Sequence, residues 1–123
     1  MVKHFTELNV YMKSFDLAGR VFEISKRFPS EERYSLTDQI RRAARSVGAQ
    51  TAEAWGKRRY EAHFVSKLTD ADSENREVEH WLLSAQRDGC LSESEANELL
   101  AMKLEVGRML GSMIQNPGSF LLK

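Results

Sequence analysis

At 123 residues the chain is the size of one domain, long enough to bury about two thirds of its unfolded surface in a single core. An apolar content of 41% with 29% charged residues excludes a disordered chain and a membrane-spanning one. Eighteen Lys and Arg balance eighteen Asp and Glu, which excludes indiscriminate coating of nucleic acid, since that binding rests on excess positive charge.

The periodicity predicts four helices and no strand, at about residues 9–27, 36–56, 60–88 and 93–115, in one domain spanning 1–123. In the first, Tyr11, Phe15, Ala18 and Phe22 recur at steps of three and four. Leu17, Val21 and Ile24 widen that stripe to about half the helix circumference, more than a one-sided surface helix needs. Two neighbours are therefore expected, one inside the fold and one from another subunit. Phe28-Pro29-Ser30 ends the helix, because proline lacks an N–H and restricts the residue before it.

Ser35 before Leu36, with Asp38 three positions on, predicts a variant capping box opening the second helix. Its apolar positions are Leu36, Ile40, Ala43, Ala44, Val47, Ala54 and Trp55, and Gly56 marks its end ahead of Lys57-Arg58-Arg59. The third helix carries one narrow stripe of Phe64, Leu68, Ala71, Val78, Leu82 and Ala85 with Asn75 in its middle, and Gly89 closes it. An asparagine there costs on the order of 1–3 kcal/mol unless it is hydrogen-bonded, which suggests a register-fixing contact. Ser92 and Glu95 predict a full capping box for the fourth helix. That helix buries Ala96, Leu99, Leu100, Val106, Leu110 and Ile114 and stops at Asn116-Pro117-Gly118. Short connections favour antiparallel neighbours, so the expected fold is an all-α, up-down-up-down four-helix bundle.

Signals for catalysis or metal binding are weak, and no catalytic residue, cofactor or metal is expected. Glu77-x-x-His80 has the spacing that helical bundles use for paired metal ions, but no second motif accompanies it, and His4 and His63 have no glutamate three residues before them. His80 falls opposite Leu82 and Phe64 on the helical wheel and should face outward. Cys90, the lone cysteine, excludes a disulfide framework and a cysteine zinc site and reads as an inert thiol at a turn, in keeping with a cytoplasmic protein. The N-terminal segment has no long apolar stretch, so neither a signal peptide nor a membrane anchor is expected.

The charge is segregated. Residues 36–59 carry Arg41, Arg42, Arg45, Lys57, Arg58 and Arg59 against Asp38 and Glu53, a net of +4. Residues 61–80 carry Glu61, Asp70, Asp72, Glu74, Glu77 and Glu79 against Lys67 and Arg76, a net of −4. Two uses of the cations follow. Arg42 and Arg45 can pair with Asp72, Glu74 or Glu79, within the chain or across a subunit boundary. Alternatively Lys57, Arg58 and Arg59, with Arg41 or Arg42, form a phosphate-contacting patch for RNA or DNA. Gly48, Ala52 and Gly56 on the second helix, and Gly107 and Gly111 on the fourth, form small-residue ridges. Glycine inside a helix costs about 1 kcal/mol relative to alanine, so close approach of another helix, within the bundle or between subunits, should offset it.

The segment from Tyr34 to Ala85 resembles the four-helix bundle family named after proteins encoded in 23S ribosomal RNA intervening sequences. Leu36, Thr37, Gln39, Arg41, Arg42, Ser46, Val47, Ala52, Glu53, Trp55, Arg58 and Arg59 carry the resemblance, followed by Phe64, Leu68, Ala71, Glu74 and Glu77. The tail MLGSMIQNPGSF is similar to the end of one branch of the family. The chain departs from the family pattern at Ser73-Glu74, where many members have Gly-Ser, and at Asn75, where many have leucine. The resemblance implies a homopentamer with bundles side by side around a central axis. It also implies a fold similar to the accessory variability determinant proteins of diversity-generating retroelements, basic pentameric barrels that bind nucleic acid and a reverse transcriptase.

The resulting expectation is a non-enzymatic homo-oligomer acting as an adaptor for nucleic acid or a nucleic-acid-associated protein. Its alternative is a scaffold module whose charged faces serve only self-assembly. Neither involves a membrane.

Overall fold

The computed structural model describes residues 1–123. Four helices make up most of the chain: α1 (Asn9–Ser25), α2 (Leu36–Trp55), α3 (Glu61–Arg87) and α4 (Glu93–Gln115). Single turns of 3-10 helix at Phe5–Glu7, Ser30–Glu32 and Gly118–Phe120 occupy the two tails and the α1–α2 connection. Each helix packs on two others, α1 on α2 and α4, and α3 on α2 and α4, the square arrangement of a four-helix bundle.

The α3 stripe behaves as its spacing requires: Phe64, Leu68, Ala71, Asn75, Val78, Leu82 and Ala85 are all buried. Opposite it, Ile40, Ala43, Ala44, Val47 and Ala54 of α2 fill the core beside Ala96, Leu99, Val106, Leu110 and Met113 of α4. Met113 takes the inner position that the spacing assigned to Ile114, which is only half-buried. Small residues on α2 let α1 and α3 approach closely, and each fully enclosed leucine or valine contributes about 1.5–3 kcal/mol.

On α1 the two sequence stripes separate. Val10, Leu17, Val21 and Ile24 point inward, while Tyr11, Ala18 and Phe22 are half-buried and Phe15 is 65% exposed. The α1–α4 seam is closed by cations spaced seven residues apart, with Lys13, Arg20 and Arg27 meeting Glu105, Glu98 and Glu95. The seven-residue spacing puts Lys13 and Arg20 on one edge of α1 with Arg27 in the turn just beyond it, and the antiparallel direction reverses the order of their partners on α4.

Helix ends follow two routes. Ser92 and Glu95 form the reciprocal capping box at α4, with Glu95 N–H donating to Ser92 Oγ at 3.1 Å and Ser92 N–H to Glu95 Oε1 at 3.0 Å. The box expected from Ser35 and Asp38 does not form. Ser35 instead donates to Glu32 Oε1 at 2.8 Å, and that carboxylate also takes the Leu36 N–H at 3.4 Å. The 3-10 turn carries Glu32 to the helix end, and the stronger, charged acceptor displaces the short serine hydroxyl. Gly89, at φ +79°, ends α3 in a Schellman arrangement: Cys90 N–H reaches back to Ala85 O at 2.8 Å and Gly89 N–H to Gln86 O at 3.1 Å.

Candidate nucleic-acid interface

Every acid of α3 except Glu61, which lies exposed at the start of the helix, pairs with a nearby cation. Glu74 and Glu77 both pair with Arg42, Glu79 pairs with Lys103 of α4 at 2.6 Å, Asp72 with Arg76, and Asp70 with Lys67, which also reaches Glu53 of α2 at 2.8 Å. Hydrogen bonding to Glu77 raises the Arg42 pKa, and the Lys103 ammonium holds the Glu79 carboxyl below the usual carboxylate range. Of the pairs expected from the sequence, Arg42–Glu74 is present. Within the chain Arg45 meets no carboxylate and lies 5.6 Å from the centroid of the Phe22 ring; Asp72 and Glu79 are taken by nearer cations.

On α2 and the turn that follows it, Arg42 therefore has carboxylate partners, whereas Arg41, Arg45, Lys57, Arg58 and Arg59 have none. Arg41 turns toward α1, where Nε donates to Ser25 Oγ at 2.7 Å and the guanidinium lies 4.6 Å from the Phe22 centroid. Arg42 faces α3. A helical rise of about 1.5 Å per residue sets Arg41 roughly 24 Å from Lys57, so neither arginine joins the patch around Lys57-Arg58-Arg59.

That patch is built by the end of α2. The helix stops at Trp55 with Gly56 as its C-cap, in ordinary right-handed conformation, so the glycine is not needed for a left-handed turn. Arg58 folds back over Trp55, its guanidinium 3.5 Å from the ring centroid and its Nε donating to Trp55 O at 2.7 Å. It thus covers a terminal carbonyl at the negative end of the helix and stiffens the turn. Lys57 and Arg59 remain exposed without a carboxylate partner. Tyr60, 59% exposed, follows directly, with His63 edge-on to it at 5.3 Å between ring centroids. The C-terminal tail returns to this turn, Leu122 N–H donating to Arg58 O at 3.2 Å, and brings Lys123 beside it. The sequence pattern gave Tyr60 and Lys123 no role and offered His63 only as a metal ligand without partners. An exposed aromatic among cations offers a stacking surface next to phosphate contacts.

The small-residue ridges divide. A side chain at Gly48 would meet Ser14 Oγ at 3.4 Å, and one at Gly107 would meet Asn75 Nδ2 at 3.2 Å, so these two glycines serve packing inside the bundle. Gly111 faces open space and Gly56 meets only its own helix's carbonyl. Ala52, with Phe5, Tyr11, Phe15, Phe22 and Ala49, lines an apolar groove of about 460 Å³ between α1 and α2.

The residues singled out for chemistry are otherwise engaged. Glu77 is held by Arg42, and His80 is exposed and packs edge-on to Trp81 at 4.8 Å between centroids. No three His, Cys, Asp or Glu side chains gather where they could hold a metal ion. Burial, reinforced by Glu32, Asp88 and Glu31, pushes the Cys90 thiol pKa up, away from the reactive thiolate. No helix is long and apolar enough to cross a membrane.

Residues 6–112 match the profile of the 23S rRNA-intervening sequence protein family. Among solved structures, the chain is similar to a protein of unknown function from the S23 ribosomal protein family of Bacteroides thetaiotaomicron VPI-5482. The two share 28% identity and a TM-score of 0.79 over 87% of this chain and 96% of that one. Comparison with curated proteins gave no match.

Proposed function

The chain belongs to the 23S rRNA-intervening sequence protein family, and from that membership we propose that it is a non-catalytic, cytoplasmic, homo-oligomeric adaptor that binds structured nucleic acid. The observation that carries this reading is the turn after α2, where Lys57 and Arg59 stand exposed beside Arg58 and Tyr60 without a carboxylate partner, while every acid of α3 except Glu61, the residue after Tyr60, is paired with another cation. Phosphates bind the cations and unpaired bases stack on the tyrosine. Overall neutrality restricts binding to this patch, and repetition of the patch around a ring of copies, five by the family's architecture, multiplies it.

The groove between α1 and α2 supports the oligomeric half of the reading. Phe15 is 65% exposed at its edge, and a neighbouring bundle would cover it. The same groove favours a second reading, a scaffold whose exposed surfaces serve self-assembly alone.

Fluorescence anisotropy with a structured RNA and a DNA duplex at about 50 mM salt separates the two. The adaptor reading expects saturable binding that is lost when Lys57, Arg58 and Arg59 are replaced together. Absent binding favours the scaffold, and binding unchanged by that replacement removes the turn after α2 as the site.

A further inference from the structure

The geometry points to a phosphomonoester-binding pocket at the joint of α1 and α2, held by Arg33, Arg41 and Thr37 and separate from the turn after α2. A cavity of about 250 Å³ opens there, lined by Ser25, Lys26, Ser30, Arg33, Thr37 and Arg41 with the rim of Phe28 and Pro29. Three cations face it and no carboxylate lines it.

Thr37 supplies the most specific sign of a ligand. The residue is 8% exposed, and its hydroxyl, which pairs with no protein group, lines the cavity open to an occupant. A hydroxyl with no partner in the protein is free to donate to an oxygen-rich occupant of the cavity. Thr37 also stands in the first turn of α2, and its backbone N–H finds no carbonyl acceptor. The helix thus adds its positive end to the side-chain donor at the same place.

Arg41 is already oriented. Ser25 Oγ holds its Nε at 2.7 Å and the Phe22 ring supports its face, which leaves the far side of the guanidinium with donors to spare. Arg33 has no carboxylate partner and lies over Tyr34 at 5.7 Å, free to swing. Lys26 is shared with Glu23 at 3.3 Å and contributes the weakest of the three charges. Nearby acids are directed elsewhere: Glu32 caps α2 from its other flank, and Asp38 lines the neighbouring depression with Arg42 and Arg45.

Two guanidinium groups, a hydroxyl and a helix N-terminus suit three acceptor oxygens carrying about −1.5 to −2 charge, the endowment of a phosphomonoester; a carboxylate has two oxygens and one charge. Its source is a free nucleotide or the terminal phosphate of a nucleic-acid strand. The pocket does not depend on the Lys57-Arg58-Arg59 reading, because it lies toward the other end of α2.

The test is a titration of isotopically labelled full-length protein with sodium phosphate, followed by amide NMR and matched in ionic strength with chloride. Saturable shifts are expected at the Thr37 and Asp38 amides. Thr37→Val and Arg33→Ala should each weaken binding about tenfold, the loss of one charge-assisted hydrogen bond, with no fall in melting temperature. Replacement of Lys57, Arg58 and Arg59 should leave these shifts intact, which keeps this pocket distinguishable from the nucleic-acid patch. No saturable shift up to about 20 mM phosphate, well above a millimolar Kd, overturns the proposal, as does unchanged binding in Thr37→Val. The source follows from two paired probes, adenosine monophosphate against adenosine and 5′-phosphorylated RNA against its 5′-hydroxyl twin. Preference for the phosphorylated member of either pair supports the pocket and identifies the source; equal binding within both pairs overturns it.

Discussion

Asn75 on α3 and Gly107 on α4 are fitted to each other: a methyl group at Gly107 would stand 3.2 Å from Asn75 Nδ2, the atom that donates to Lys103 O at 3.0 Å. The buried amide therefore crosses to the backbone of the facing helix through space that a side chain at residue 107 would crowd. Asn75 is 1% exposed, with its Oδ1 unpaired, and cannot withdraw into solvent.

This contact sets the sign of a glycine substitution. Gly107→Ala should destabilise the protein by about 1 kcal/mol although alanine is the better helix former by about that amount. In an Asn75→Ala background the same substitution should stabilise by about 1 kcal/mol, because the obstruction is gone. A double-mutant cycle by urea denaturation should give a coupling of about 2 kcal/mol between the positions, and no coupling would refute the fitted pair.

Acid should open the α1–α4 seam. The capping bond from Ser92 N–H, then Arg27, lowers the pKa of Glu95; Arg20 lowers that of Glu98; and Lys103 lowers that of Glu79 on the adjoining seam. A carboxyl whose folded pKa is depressed binds protons more readily when unfolded. It therefore contributes stability above its unfolded pKa of about 4.3 and loses that contribution as pH falls through the folded value. Stability should be flat from about pH 7 to 5.5 and decline below about 5. In Glu98→Gln the decline should be shallower, with a lower plateau at neutral pH. Thermal melts of both proteins from neutral to acid pH check this, and parallel curves would contradict it.

What the sequence revealed depended on whether the physics was local. The α3 stripe and the Ser92–Glu95 box were legible because helical spacing alone fixes which side chains share a face or reach a neighbouring N–H. The Ser35–Asp38 box was not, since a 3-10 turn brings Glu32 to the same end of α2. Ion-pair partners across helices depend on axial rotation and offset, which the pattern leaves open: Glu79 meets Lys103 of α4 and not an arginine of α2. Tyr60 drew no attention because its exposure is set by the α2–α3 turn, and Lys123 because a single backbone hydrogen bond docks the tail. Lys57, Arg58 and Arg59 were legible as a cluster, and their separation from Arg41 follows from the helical rise over the sixteen residues from Arg41 to Lys57.

If the groove between α1 and α2 seats another copy, Phe15→Glu should reduce the assembly to monomers, as read by light scattering. Its 65% exposure means that the isolated bundle should retain its helical content and lose little stability. Arg45→Glu, on the same groove and without a carboxylate partner in the chain, should also weaken assembly. Arg42→Ala should not, because Arg42 is occupied by Glu74 and Glu77 of its own chain. It should lower bundle stability by less than about 1 kcal/mol, the scale of a half-exposed ion pair. A wild-type protein that is itself monomeric would dispose of the interface.

The turn after α2 offers two physically different contacts with a nucleic acid, and salt tells them apart. Lys57 and Arg59 act through phosphate neutralisation, so Lys57→Ala and Arg59→Ala should each reduce the slope of log affinity against log salt by about 0.7 for a single strand and about 0.9 for a duplex. Tyr60 acts through its ring. Tyr60→Ala should weaken binding to a single-stranded or looped RNA by about 1–3 kcal/mol, leave the salt slope unchanged, and have little effect on a duplex whose bases are already stacked. Arg58→Ala should combine a loss of affinity with a loss of stability, because its guanidinium also covers Trp55 and the last carbonyl of α2. Anisotropy titrations at three or more salt concentrations, run on both substrates and joined by a thermal melt of each variant, resolve these three signatures. Should Tyr60→Ala change the slope and Lys57→Ala leave it untouched, the assignment of roles would be reversed and the phosphate contacts would have to lie elsewhere on the bundle.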